Sequence, residues 1–151
     1  MRQVVCSLIF VVVSLSGLSQ KISIQQQTSI IRMVVDSLLL NENGFNTHGY
    51  WIDFSKSHVF QRKAINEFLK QDSNFTEIDS HLLLKNDTTW IQYGYLQKTL
   101  IKFSKLKLQR GLLIIEVDKI KATDASIEKR FIIRKENNNY KILSSEITRI
   151  S

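Results

Sequence analysis

The last third of the chain limits what the rest can become. Leu112 to Lys121 (LLIIEVDKIK), Ile127 to Lys135 (IEKRFIIRK) and Tyr140 to Ile150 (YKILSSEITRI) are rich in β-branched and aromatic residues, the signature of strands with a buried face. Thr123-Asp124-Ala125 and Glu136-Asn137-Asn138-Asn139 separate them with turn chemistry at hairpin length, so an antiparallel meander is expected. A three-residue first loop sets Val117 opposite Phe131 and Ile115 opposite Ile133 on a core side. It also sets Asp118 opposite Arg130 on the other side, a cross-strand charge pair. In the last strand Tyr140 and Ile142 do not share parity with Ile147. A bulge or bend near Ser144-Ser145 would reconcile them.

Such a sheet needs a cover, and the first half supplies helices. Over Ile22 to Leu40, the residues Ile30, Ile31, Val34, Val35, Leu38 and Leu39 recur at three- and four-residue spacing, a stripe wide enough to lie on a sheet. Asn41-Glu42-Asn43-Gly44 ends it, with Gly44 as the left-handed C-cap. Phe45 to Phe54 is an aromatic-rich loop or short strand. A second helix follows, with Ser55 or Ser57 as N-cap, an apolar face of Phe60, Ala64, Ile65, Phe68 and Leu69, and an end near Lys70. Ser80 to Leu84 and Thr88 to Tyr95 read as strands joined by Lys85-Asn86-Asp87, with Ile91, Tyr93 and Tyr95 on one face. The fold class is α+β: N-terminal helices packed on a curved antiparallel sheet formed mainly by the C-terminal half.

Composition removes several chemistries. Five scattered glycines in 151 residues form no phosphate loop, dinucleotide fingerprint or nucleophile elbow. The chain has no proline, hence no polyproline ligand. Residues 1–19 read as a cleaved signal peptide: Met1-Arg2-Gln3 is a positive n-region, Val4 to Leu15 an apolar core, and Gly17 and Ser19 the small residues before Gln20. That core falls short of the roughly 20 residues a membrane span needs. Cys6, the only cysteine, lies inside it, so residues 20–151 carry no disulfide, thiolate nucleophile or cysteine–zinc site. The expectation is a single exported domain, periplasmic or secreted, with no transmembrane segment once the leader is gone. The Asn74 and Asn86 sequons matter only in a eukaryotic secretory pathway.

Polar constellations are sparse. His48, His58 and His81 are far apart, and none makes the i,i+4 pair of a helical zinc site; no metal or cofactor is implied. His58 is expected in the first turn of the second helix and the other two in loops. Glu116 and Asp118 share a strand face, but Arg130 and Arg134 share it too, which favours a salt-bridged surface over acid/base work. No serine follows a nucleophile-type turn, so no catalytic residue is assigned. The aromatics Trp51, Tyr93 and Tyr95 combine apolar faces with polar handles, suited to a ligand pocket.

The charge of +7 is unevenly placed. Residues 20–97 hold 7 basic and 8 acidic residues, whereas residues 98–151 hold 13 and 6. Lys102, Lys105, Lys107, Arg130 and Arg134 are the candidate contacts to an anionic surface or an acidic protein. Lys98 to Leu108 keeps its lysines outward whether helix or strand. Export argues against nucleic acid as the partner, and no recognition motif is present.

The Ile22–Leu40 helix, AINEFLK (Ala64 to Lys70) and the closing strands FIIRKENNNYKILSS (Phe131 to Ser145) carry a resemblance. In their order they resemble the nuclear-transport-factor-2-like (cystatin-related) superfamily. The resemblance implies a long first helix, shorter helices and a strongly curved antiparallel sheet. It also implies a pocket between sheet and helix with Trp51 or Tyr93 near it. No catalytic Asp/His pattern carries over, and Lys98 to Arg110 has no counterpart. The first reading is therefore a small exported noncatalytic binding domain with an aromatic-lined pocket for a small ligand or partner. The alternative is an interaction protein using a basic sheet face. The third is a small hydrolase or isomerase whose polar site forms only in space.

Overall fold

The computed structural model describes residues 22–40, 49–58, 60–83, 91–92, 95–122 and 125–151. The expected leader, the Gly44 cap, the Lys85-Asn86-Asp87 turn and Tyr93 lie outside them. Helix α1 (Ile24–Leu39) starts with a capping box. The Ser23 hydroxyl accepts the Gln26 N–H at 3.2 Å, and the Gln26 side chain accepts the Ser23 N–H at 3.1 Å. Two donors with no intrahelical partner are thereby satisfied. The stripe Ile30, Ile31, Val34, Val35 and Leu38 is buried, as its spacing requires.

The remaining elements are β1 (Tyr50–Asp53), α2 (Arg62–Gln71), β2 (Phe75–Glu77), α3 (Ser80–Leu83), β3 (Ile91–Gln92), β4 (Tyr95–Gln109), β5 (Leu112–Ala122), β6 (Ala125–Glu136) and β7 (Asn139–Ile150). One sheet contains all seven strands in the order β2-β1-β4-β5-β6-β7, with β3 pairing β4. Strands β3 to β7 pair antiparallel, and β1 joins both β4 and β2 in parallel. The architecture is α+β, helices on a curled, open sheet built mainly by the C-terminal half. Register shifts between Phe103 and Lys105, Ile120 and Ala122, Glu128 and Lys129, and Ile132 and Ile133 increase the local twist. Among the described residues no helix is long and apolar enough to cross a membrane.

The core lies between the helices and one sheet face, and phenylalanines fill it. Phe54 stacks on Phe103 with centroids 4.8 Å apart, while Phe60 meets Phe103 edge-on at 5.8 Å. Phe68 tilts against Phe75 at 5.1 Å, and the Arg32 guanidinium lies 4.8 Å above Phe68. Such edge and offset contacts add about 1 kcal/mol each to plain burial.

Several expectations need correction. The second helix begins at Arg62 with Gln61 as N-cap. Ser57 instead bonds the Phe54 carbonyl at 2.8 Å and closes a turn, so His58 precedes the helix. Ser80–Leu83 is helical, and His81 therefore sits on α3. The segment Thr88 to Tyr95 is not one strand, because Gln92 pairs back onto Tyr95 across β3 and β4. β5 and β6 are joined by two residues, with Ala122 opposite Ala125. The Ala122–Ala125 pairing and the shift beside it move the register by two, setting Ile115 opposite Phe131, Glu116 opposite Arg130 and Asp118 opposite Glu128. The expected bulge in β7 is present: Ile133 faces Ile142 and Ile132 faces Ser144, leaving Leu143 extra.

Candidate functional site

Two surfaces were expected to act, an aromatic pocket and a basic sheet face. Trp51 alternates with the core-facing Ile52 and lies on the far side of the sheet. It is 4% exposed and packs with Leu100, Ile78 and Ile120. Tyr95 occupies the first position of β4. A concavity of about 770 Å³ runs along α1 past Arg32, Met33, Asp36, Glu67 and Ile142. A second, about 520 Å³, is bordered by Phe54, Phe60, His58, Arg62 and Asp79. Trp51 borders neither. In the second, Asp53 is buried and takes the Ser55 N–H at 2.7 Å and the Ser80 N–H at 3.1 Å. Burial pushes its carboxyl up, but Ser80 and Ser55 outweigh that and hold it below the usual aspartate range.

The face away from the helices carries the expected basic residues, in an order the strand pairing imposes. Lys105, Glu116, Arg130 and Glu146 lie in one row across β4, β5, β6 and β7. Nε and Nη2 of Arg130 both lie 3.0 Å from Oε1 of Glu116, and Lys105 Nζ lies 3.3 Å from its Oε2. Arg130 Nη1 reaches Glu146 at 3.0 Å. Burial raises the Glu116 pKa, but Arg130 and Lys105 together hold it below the ordinary value. The next row is Lys102, Asp118, Glu128 and Arg149. Burial and Glu128 push the Asp118 carboxyl up against the pull of Arg149 and Lys102. Arg149 stays 3.9 Å from Asp118 Oδ1, which has no hydrogen-bond partner.

The five expected cation contacts therefore separate. Lys105 and Arg130 are held by Glu116, Lys102 faces Asp118, and Arg134 bonds Glu136 at 2.8 Å. Lys107 is exposed and makes no ion pair among the described residues. It stands next to the β4–β5 turn, where Gln109 pairs with Leu112 and Arg110-Gly111 form the two-residue connection. Arg110 has φ 50° and Gly111 φ 76°, the paired positive values of a hairpin turn that follows the sheet twist. Arg110 is likewise exposed and without an ion pair among the described residues. Leu108, between the two cations, is 49% exposed. In the adjoining row Leu112 pairs with Arg134, and Arg134 with Lys141. The outer face at this end thus gathers Lys107, Arg134 and Lys141 beside the Arg110 turn, with Glu136 as the anion beside them, while Leu108 pairs with the core residue Leu113 and takes the helix side.

Lys107 and Arg134 were expected as contacts, whereas Arg110 was read only as the end of the basic run that starts at Lys98. The signal for Arg110 was the Arg-Gly dipeptide between two strand-forming runs, a two-residue turn. Among the described residues no group of three or more His, Cys, Asp or Glu is placed to hold a metal ion. Comparison with protein-family models, curated proteins and solved structures gives no match.

Proposed function

We propose that this protein is a small exported interaction protein that docks on an anionic surface through the β4–β5 end of its sheet. The observation that carries this reading is the pairing pattern. Cations across the face are paired, Lys105 and Arg130 with Glu116, Arg149 with Asp118 and Arg134 with Glu136, whereas Lys107 and Arg110 at the turn make no ion pair among the described residues. Arg110 adds support, because a non-glycine residue at φ 50° is strained where Asn or Gly would cost less. The filled phenylalanine core supports this reading over an enclosed pocket.

Export belongs to the same proposal and rests on the pattern of residues 1–19. So does kinship with the nuclear-transport-factor-2-like superfamily, supported by the long first helix and second helix lying on a curled sheet. The test is co-sedimentation with phosphatidylcholine vesicles containing phosphatidylglycerol, at low salt. The protein is expected to bind these and not neutral vesicles, and Lys107→Glu with Arg110→Glu to weaken binding on the order of thirtyfold. Unchanged binding by that variant would overturn the reading.

A further inference from the structure

Strand β7 ends the sheet, with no neighbour on its outer side among the described residues. It is twelve residues long, and it carries Leu143, Ile147 and Ile150 at 42%, 57% and 73% exposure. A long edge with exposed apolar side chains is a template for another strand. Edges are commonly blunted by charge and by bulges, and β7 has both. Here the two act together in the opposite sense.

The pairing with β6 fixes which side each β7 residue takes. Tyr140, Ile142, Ser145, Ile147 and Ile150 share the helix side, while Lys141, Ser144, Glu146 and Arg149 share the outer side. The bulge at Leu143 makes this possible, since it puts Lys141 and Glu146, five apart, on the same side. Two copies of β7 paired antiparallel must match sides across a twofold axis. An axis through Glu146 would set that carboxylate against its own copy. An axis through Ser145 would oppose Lys141 to Arg149. An axis between Leu143 and Ser144 opposes Lys141 to Glu146 twice and Tyr140 to Ile147 twice, with Ile142 opposite Ser145. Lys141 lies beside Arg134 on its own sheet, so a carboxylate from the second copy relieves a like-charge contact.

We infer that the chain forms a dimer with a second copy of itself, residues 140–147 of each β7 paired antiparallel about that axis, giving one continuous sheet. The surface is separate from Lys107 and Arg110, so either proposal can fail alone.

Sedimentation equilibrium of the purified protein is expected to give twice the chain mass. Lys141→Glu alone and Glu146→Lys alone should each weaken the dimer about tenfold or more, and the double exchange should restore it. A second measurement is independent of charge. With Cys6 replaced by Ser, Ser144→Cys beside the axis should oxidise to a covalent dimer, and Thr148→Cys away from it should not. A monomer at all concentrations, a dimer indifferent to the single reversals, or equal cross-linking at both positions would overturn the inference.

Discussion

The side-chain carbonyl of Gln27, in the first turn of α1, accepts the backbone N–H of Gln61 at 2.7 Å. Gln61 is the N-cap of α2 and forms no side-chain cap of its own. One helix therefore satisfies the start of the other. Gln27 is 3% exposed, and its Nε2 also bonds the Ile22 carbonyl at 2.8 Å. Gln27→Ala should cost about 1–2 kcal/mol by leaving two partly buried backbone groups without their partner. Urea unfolding at neutral pH measures this, and an unchanged midpoint would contradict it.

Two glycines with positive φ should respond differently to alanine. At Gly49, φ is 79° and an added Cβ would lie 2.6 Å from the Asn74 carbonyl oxygen. That oxygen accepts the Tyr50 N–H at 2.7 Å, which joins β1 to β2. At Gly111, φ is 76° and the space is open. Gly111→Ala should cost about 1 kcal/mol from backbone strain alone. Gly49→Ala should cost more, about 2–3 kcal/mol, by forcing the edge strand away. Thermal unfolding of the two variants side by side gives the comparison.

Much of the fold was legible because its signals are local. Period-3.6 burial marked α1, and β-branched runs between turn residues marked β5, β6 and β7. The apolar sides of the meander survived a wrong register because the error was two residues, which preserves parity. Glu116 and Asp118, by contrast, exchanged partners, and which cations are neutralised depends on that. The cap of α2 was missed because Gln27 is 34 residues away in sequence. β2 escaped notice because three residues with one buried side chain, Phe75, carry no periodicity. Ser80–Leu83 has the apolar content of a strand but turns as a helix after Asp79, whose carboxylate takes the His81 N–H at 2.9 Å.

The carboxylates in neighbouring rows should titrate with opposite effects on stability. Glu116 has a folded pKa below its ordinary 4.5, so its stabilisation is complete above that value and is lost as pH falls through the folded one. Asp118 has a folded pKa above its ordinary 3.8, so stability declines as pH rises from there through the raised value. Glu116→Gln should lower stability at pH 7 by about 1–2 kcal/mol and flatten the acid limb. Asp118→Asn should raise the urea midpoint at pH 7, with the difference gone by about pH 3.

Arg110 sets stability against binding. Asn tolerates the left-handed region better than Arg does. Arg110→Asn should unfold at an equal or higher temperature, by up to about 1 kcal/mol in stability, while binding anionic vesicles more weakly. A variant both less stable and equally well bound would remove Arg110 from the proposed contact.

The central claim concerns the position of charge rather than its amount. Lys63 and Lys70 are exposed on α2, so Lys63→Glu with Lys70→Glu changes net charge as much as Lys107→Glu with Arg110→Glu does. The deciding measurement is affinity for phosphatidylglycerol-containing vesicles across a salt series, for the protein and both double variants. The account predicts that the hairpin-end variant loses binding on the order of thirtyfold and most of its salt dependence, while the α2 variant stays within about threefold of the parent. Equal losses in the two variants would contradict it.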